Sequence, residues 1–111
     1  MRIFDCTLRD GANVVGNGFS PELTESMIRG LLDCGIQDIE MGNAKGIGSY
    51  DRGAEAPLDD EGYAKLASRY AGKGRLGMFM LAAFADADKI KMVKDNGLDF
   101  IRVGIAAGDG A

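Results

Sequence analysis

A parallel α/β fold is what this chain predicts, and three features carry the prediction. Apolar runs able to form strands alternate with segments of helical periodicity, in the order β-α-β-α-β-α-β. The expected strand starts lie about 23 to 40 residues apart, the spacing of right-handed crossover units. The run from Leu76 to Ala83 is almost continuously apolar, which suits a strand covered on both faces, as in parallel sheets. A fourth strand, Asp99 to Ala107, is followed only by Gly108-Asp109-Gly110-Ala111. An eight-stranded (β/α)8 barrel takes about 250 residues. Residues 1–111 are therefore expected to be one partial domain, the N-terminal half of a TIM barrel with the remainder absent.

The first strand is expected from Arg2 to Cys6, with Gly11 letting the backbone turn away after it. Ala12 to Phe19, rich in glycine and asparagine, is expected as a loop able to close over Arg9 and Asp10. Ser20 caps a helix with Pro21 at its first position and Glu22 in its first turn. Leu23, Met27, Ile28, Leu31 and Leu32 share one face of it, and Gly35 ends it. Ile36 to Met41 forms the second strand. Gly42 to Pro57 is the longest irregular stretch, either a flexible lid or a solvated connector. Its glycines match neither GxGxxG nor the Walker pattern, while Lys45 and Arg52 are suited to an anionic substrate group. Asp59-Asp60-Glu61 places negative charge at the start of the next helix, where the dipole favours it without any catalytic role. Tyr63, Leu66, Ala67 and Tyr70 form that helix's apolar face. A third helix, Ala85 to Asn96, starts near Asp86 or Asp88, packs through Ile90 and Val93, and ends at Gly97.

The stretch that carries chemistry is Asp5-Cys6-Thr7-Leu8-Arg9-Asp10-Gly11, at the end of the first strand. Parallel α/β folds build their sites at the C-terminal ends of strands. Arg9 offers a planar, permanently cationic fork for a carboxylate or polarised carbonyl, and Asp10 offers hard oxygens for a divalent metal. An arbitrary Arg-Asp pair is more often a surface ion pair of little energetic weight. Glu40, at the end of the second strand, opens onto the same face as Asp10 if the strands are parallel. It either shares one polar site with Asp10 or is a structural acid paired with a lysine or arginine.

Asp5 to Gly11 resembles, without a gap, the Asp-x-Thr-Leu-Arg-Asp-Gly signature of the DRE-TIM metallolyase superfamily. The resemblance extends more loosely through Ile39-Glu40-Met41-Gly42, and the loop Gly42-Asn43-Ala44-Lys45-Gly46 looks more like its aldolase branch than its synthase branch. The resemblance implies a divalent metal ion, Mn2+ or Mg2+, bound by Asp10 together with a His-x-His pair from a later strand. It implies Arg9 as enolate stabiliser and substrate ligand, Asn43 as a substrate ligand, and Glu40 as a group that supports the site or moves a proton. Asn13 stands about where the pyruvate-releasing aldolases carry a histidine proposed as base. Asparagine cannot take a proton at neutral pH, which leaves it to orient substrate or water. The chain has no histidine, so the His-x-His pair is not in it. The reaction implied for a full-length parent is cleavage of a 4-hydroxy-2-oxo acid to pyruvate and an aldehyde. The runner-up is an acyl-CoA-dependent synthase of the isopropylmalate or homocitrate type. A different class of reading is a non-catalytic half barrel that joins itself or a complementary half, because unpaired strand edges recruit partners.

The totals narrow the field further. A net charge of −4 without a Lys/Arg cluster argues against nucleic acid or an anionic membrane as main partner. A small molecule is the expected ligand, and the resemblance implies a 2-oxo acid. No apolar run approaches the roughly 20 residues of a membrane span, and no basic segment precedes an apolar signal core, so the expected location is cytoplasmic. Cys6 and Cys34 have no metal-ligand spacing and are expected reduced and buried. Zero histidine removes Ser-His and Cys-His nucleophile pairs and the HExxH metal helix.

Overall fold

The computed structural model describes residues 3–105. Strands β1 (Phe4–Asp5), β2 (Asp38–Glu40), β3 (Arg75–Leu81) and β4 (Phe100–Gly104) form one sheet in that order. Every neighbouring pair is parallel. Helices α1 (Thr7–Asp10), α2 (Pro21–Asp33), α3 (Asp60–Ser68) and α4 (Ala87–Asp95) lie between the strands. This is the expected α/β alternation, consistent with half of a (β/α)8 barrel. Arg2 at the start of the expected first strand, Ala106 and Ala107 at the end of the fourth, and Gly108 to Ala111 lie outside the described residues. Among the described residues no helix is long and apolar enough to cross a membrane.

Side-chain caps start the three longer helices. Ser20 accepts the Leu23 N–H at 3.2 Å, Asp59 the Gly62 N–H at 2.8 Å, and Asp86 the Asp88 N–H at 2.9 Å. Each satisfies a donor that a helix N-terminus leaves without an internal partner. Along β3 the alternation of a strand sends Leu76, Met78 and Met80 into the core, with Ile28 of α2, Tyr63 and Leu66 of α3, and Val93 of α4. The opposite sheet face carries Arg75, Phe79 and Leu81, and that face holds the site.

Several expectations are corrected. The segment after β1 is helical and not a loop: the Asp5 carboxylate accepts the Thr7 N–H at 3.0 Å and starts a turn. The Cys6 carbonyl then accepts from the Arg9 and Asp10 N–H groups at 3.0 and 2.7 Å. A 3-10 helix, Gly11–Val15, continues it, and Gly11 sits at an ordinary helical φ of −63°. Gly11 is therefore not a turning point. Ile90 is exposed and leaves Val93, with Met92, to pack α4. Cys6 is half-buried and Cys34 exposed, because Cys34 falls at the C-terminal cap of α2, past its buried face. Gly42 to Ser49 is neither lid nor solvated connector. All of it except Lys45 is buried.

Candidate active site

Arg9 reaches the site from α1, with only 12% of its side chain exposed. Its Nε donates to Glu40 Oε1 at 2.8 Å and its Nη1 to the Ala44 carbonyl at 3.1 Å. The same Nη1 lies 3.8 Å from Asp10 Oδ1. Glu40, at the end of β2, is completely buried. A buried carboxylate needs compensating charge and donors, and β4 supplies them. Arg102 Nε donates to Oε2 at 2.7 Å and Arg102 Nη2 to Oε1 at 2.9 Å. That contact raises the Arg102 pKa above an already high ordinary value. Both guanidinium groups lie over the Phe79 ring, Arg9 at 4.4 Å and Arg102 at 4.8 Å from its centroid. Phe79 in turn needs Gly104 on the next strand, where a Cβ would come within 2.6 Å of the ring.

Both alternatives for Glu40 hold in part. It is paired with arginine, and Arg9 links it to Asp10, so the two carboxylates share one polar cluster. Arg102 was missed in the sequence, although the signal existed: a single cation inside Phe100-Ile101-Arg102-Val103 falls on the face opposite Ile101 at strand periodicity.

Asp10 projects its carboxylate outward, 65% exposed. Asn13 is exposed and its Nδ2 donates to the Asp10 carbonyl at 3.0 Å. Asn43 is buried, with Oδ1 accepting the Lys45 N–H at 2.9 Å and Nδ2 donating to the Ala54 carbonyl. Its amide therefore closes the 42–54 loop. The loop is anchored elsewhere too: the Ile47 N–H donates to the Phe79 carbonyl at 2.8 Å and the Gly48 N–H to Asp60 Oδ2 at 2.8 Å. Gly46, at φ +94°, passes so close to Phe79 that a Cβ would sit 3.0 Å from its carbonyl oxygen. Only glycine combines that conformation with that approach. Asp60 therefore does more than favour a helix dipole. It is buried, burial pushes its carboxyl pKa up, and its Oδ1 has no partner among the described residues.

Beside the arginine cluster, and sharing Phe79 and Ala44 with it, lies a cavity of about 470 Å³. Asn13, Lys45, Ser49, Arg52 and Phe84 complete much of its lining. Lys45 and Arg52 are thus brought to one hollow, with Arg52 stacked 4.3 Å over Phe84. A divalent metal fits these residues poorly on their own. Among the described residues no group of three or more His, Cys, Asp or Glu side chains is placed to hold one. Asp10 is a single hard-oxygen position of the six or so such an ion takes.

A cationic guanidinium is thus held by a buried acid at the C-terminal ends of parallel strands. Comparison with known proteins finds relatives named as aldolases. Over 105 residues, 93% of its length, the chain is 35% identical to 4-hydroxy-2-oxovalerate aldolase of Carboxydothermus hydrogenoformans. It is 34% identical to the protein of the same name in Moorella thermoacetica. It is 30% identical to 4-hydroxy-2-oxohexanoate aldolase of Mycobacterium tuberculosis. The chain is a homologue of the 4-hydroxy-2-oxovalerate aldolases, as the resemblance of Asp5 to Gly11, with the 42–46 loop, implied. It spans about a third of the length of these relatives, 31% in the first two and 30% in the third. No protein-family model matches it.

Proposed function

We propose that this chain supplies the enolate-stabilising half of an aldolase that cleaves a 4-hydroxy-2-oxo acid to pyruvate and an aldehyde, in the cytoplasm. The observation that carries the reading is the Arg9 guanidinium, locked by Glu40 beside Asp10, in a chain homologous to enzymes of that name. As the 4-hydroxyl of the substrate gives up its proton to water and becomes the aldehyde carbonyl, the C3–C4 bond breaks. Its electron pair moves towards the 2-oxo group, giving an enolate that takes a proton at C3 to become pyruvate. Arg9 then faces a developing oxyanion, and a preorganised cation in a partly dry site lowers the cost of that charge. Glu40 has all its oxygens committed to guanidinium N–H groups, which suits it to hold Arg9 better than to carry a proton. Asn13, on the rim of the cavity, is placed to orient the substrate or a water. Asn43 shapes the same wall through the loop it closes. Mn2+ or Mg2+, when bound, supplies Lewis-acid polarisation of the 2-oxo group. Of the residues of this chain, Asp10 would offer it one hard-oxygen ligand.

The test is pyruvate release from 4-hydroxy-2-oxopentanoate by the chain, and by the chain joined to the rest of the Carboxydothermus hydrogenoformans relative, with either metal supplied. Pyruvate release that R9A lowers at least about a hundredfold supports the reading. Acetyl-CoA consumption without pyruvate release would move it to the synthase branch.

A second reading, association of this half barrel with itself or a complementary half, is favoured by the sheet edges. Neither β1 nor β4 has an outer strand neighbour among the described residues. Ile3, Val103 and Ile105 are exposed beside those edges. Open edges with apolar side chains recruit further strands.

A further inference from the structure

Glu40 accepts three guanidinium N–H groups, and their division between the two arginines is uneven. Arg102 presents its planar fork, Nε to Oε2 and Nη2 to Oε1. Arg9 gives Glu40 its Nε alone. Its Nη1 goes to the Ala44 carbonyl, and its Nη2 makes no hydrogen bond to the described residues. Arg9 is thus held through Nε and Nη1, with Nη2 available. The division follows from supply. Glu40 is wholly buried, and Oε2 has Arg102 Nε as its only donor among the described residues. A buried carboxylate oxygen without a donor is costly. If the Arg102 fork were gone, the nearest remedy would be for Arg9 to swing into a two-pronged pairing with Glu40, withdrawing the Nη2 now available. Phe79 favours the present arrangement, since both guanidinium groups stack on its ring. The two cations face two carboxylates, of which Asp10 is solvent-exposed and 3.8 Å from Arg9, so its charge is the more screened of the two.

We propose that Arg102 is the positioning residue of the site: by occupying both oxygens of Glu40 it holds Arg9 to a single bond there, and so keeps Arg9 Nη2 free for the oxyanion of a 2-oxo acid. This rests on the reading of Arg9 as the enolate-stabilising group and goes beyond it by assigning a residue that acts through Glu40.

The experiment is 15N NMR of the arginine side chains of this chain, followed during titration with pyruvate and with oxalate, a planar mimic of the pyruvate enolate. The chain is compared with R102K and R102M. Expected is a wild-type Arg9 with Nε–H protected, one Nη group restrained, and a shift of its resonances on adding oxalate. R102M should restrain both Nη groups of Arg9 and weaken oxalate binding about tenfold or more, as expected for loss of a charge-assisted fork. R102K, which restores charge without the planar fork, should fall between. A purely structural Arg102 would lower thermal stability in both variants and leave the Arg9 resonances and oxalate affinity unchanged, overturning the proposal. If R102M does not fold, R102K and the wild-type spectrum decide: a wild-type Arg9 already in two-pronged pairing with Glu40 refutes the assignment. Failure of oxalate to bind the wild type, with Arg9 restrained as described, removes the enolate reading and leaves the arginine geometry standing.

Discussion

A carboxylate without solvent exposure must be compensated by its neighbours, and Glu40 meets that need with two guanidinium groups. Removing its charge leaves both cations facing a neutral group in a partly buried site. E40Q should therefore destabilise the chain by about 3–5 kcal/mol, the range for breaking a buried pair, as read from urea unfolding. Gly46→Ala forces a side chain into a left-handed backbone position against the Phe79 carbonyl. The expected cost is about 1–3 kcal/mol, with loss of the cavity wall reported by the same unfolding curves. Asp60 provides a pH-dependent signal. Burial lifts its carboxyl above the ordinary value of 3.8, so between the unfolded and folded values the native state binds more protons. Stability from this group is present below that window and is lost as pH rises through it. D60N keeps an acceptor for the Gly48 N–H and does not ionise. Its melting temperature should gain on the wild type as pH rises from about 4 towards neutral. An equal or falling difference would show that Asp60 is not the titrating group.

Elements place these residues. The turn that Asp5 starts carries Arg9 from the end of β1 over the end of β2. The buried stretch 42–49 makes the cavity wall, bonded to β3 through Ile47 and to α3 through Asp60. Helix α2 is capped by a single side chain, Ser20, on the Leu23 N–H. S20A should lower stability by about 1 kcal/mol without changing the arginine side-chain spectra, because α2 supplies no group to the site. The helix starts were legible because Ser20-Pro21, Asp59 and Asp86 are local signals, each acting within three or so residues. The state of 42–57 was not. Four glycines and several polar groups read as solvated, yet backbone N–H groups from that stretch find partners on β3 and α3, far away in sequence.

For the whole molecule, the four-stranded sheet ends, among the described residues, in two open edges. Sedimentation velocity should show association that grows with concentration, and V103K, which puts a charge at the β4 edge, should weaken it about tenfold. A monomer at all concentrations would dispose of the half-barrel association. The match over 93% of this chain to about 31% of its relatives makes joining it to the remainder of a relative the direct way to ask whether the arginine cluster is catalytic.

Periodicity, caps and the seven residues from Asp5 to Gly11 determined the α/β order, the helix starts and the kinship with aldolases, because those signals are local and repeat within a turn of helix or a pair of strand residues. Tertiary structure alone decided that Arg102 shares Glu40 with Arg9, that Asn43 is spent on closing a loop, and that Asp60 lies buried beneath it. Those facts depend on strand register and on the pairing of polar groups distant along the chain, and the free energy of such pairing is set by burial, which no short stretch of sequence contains.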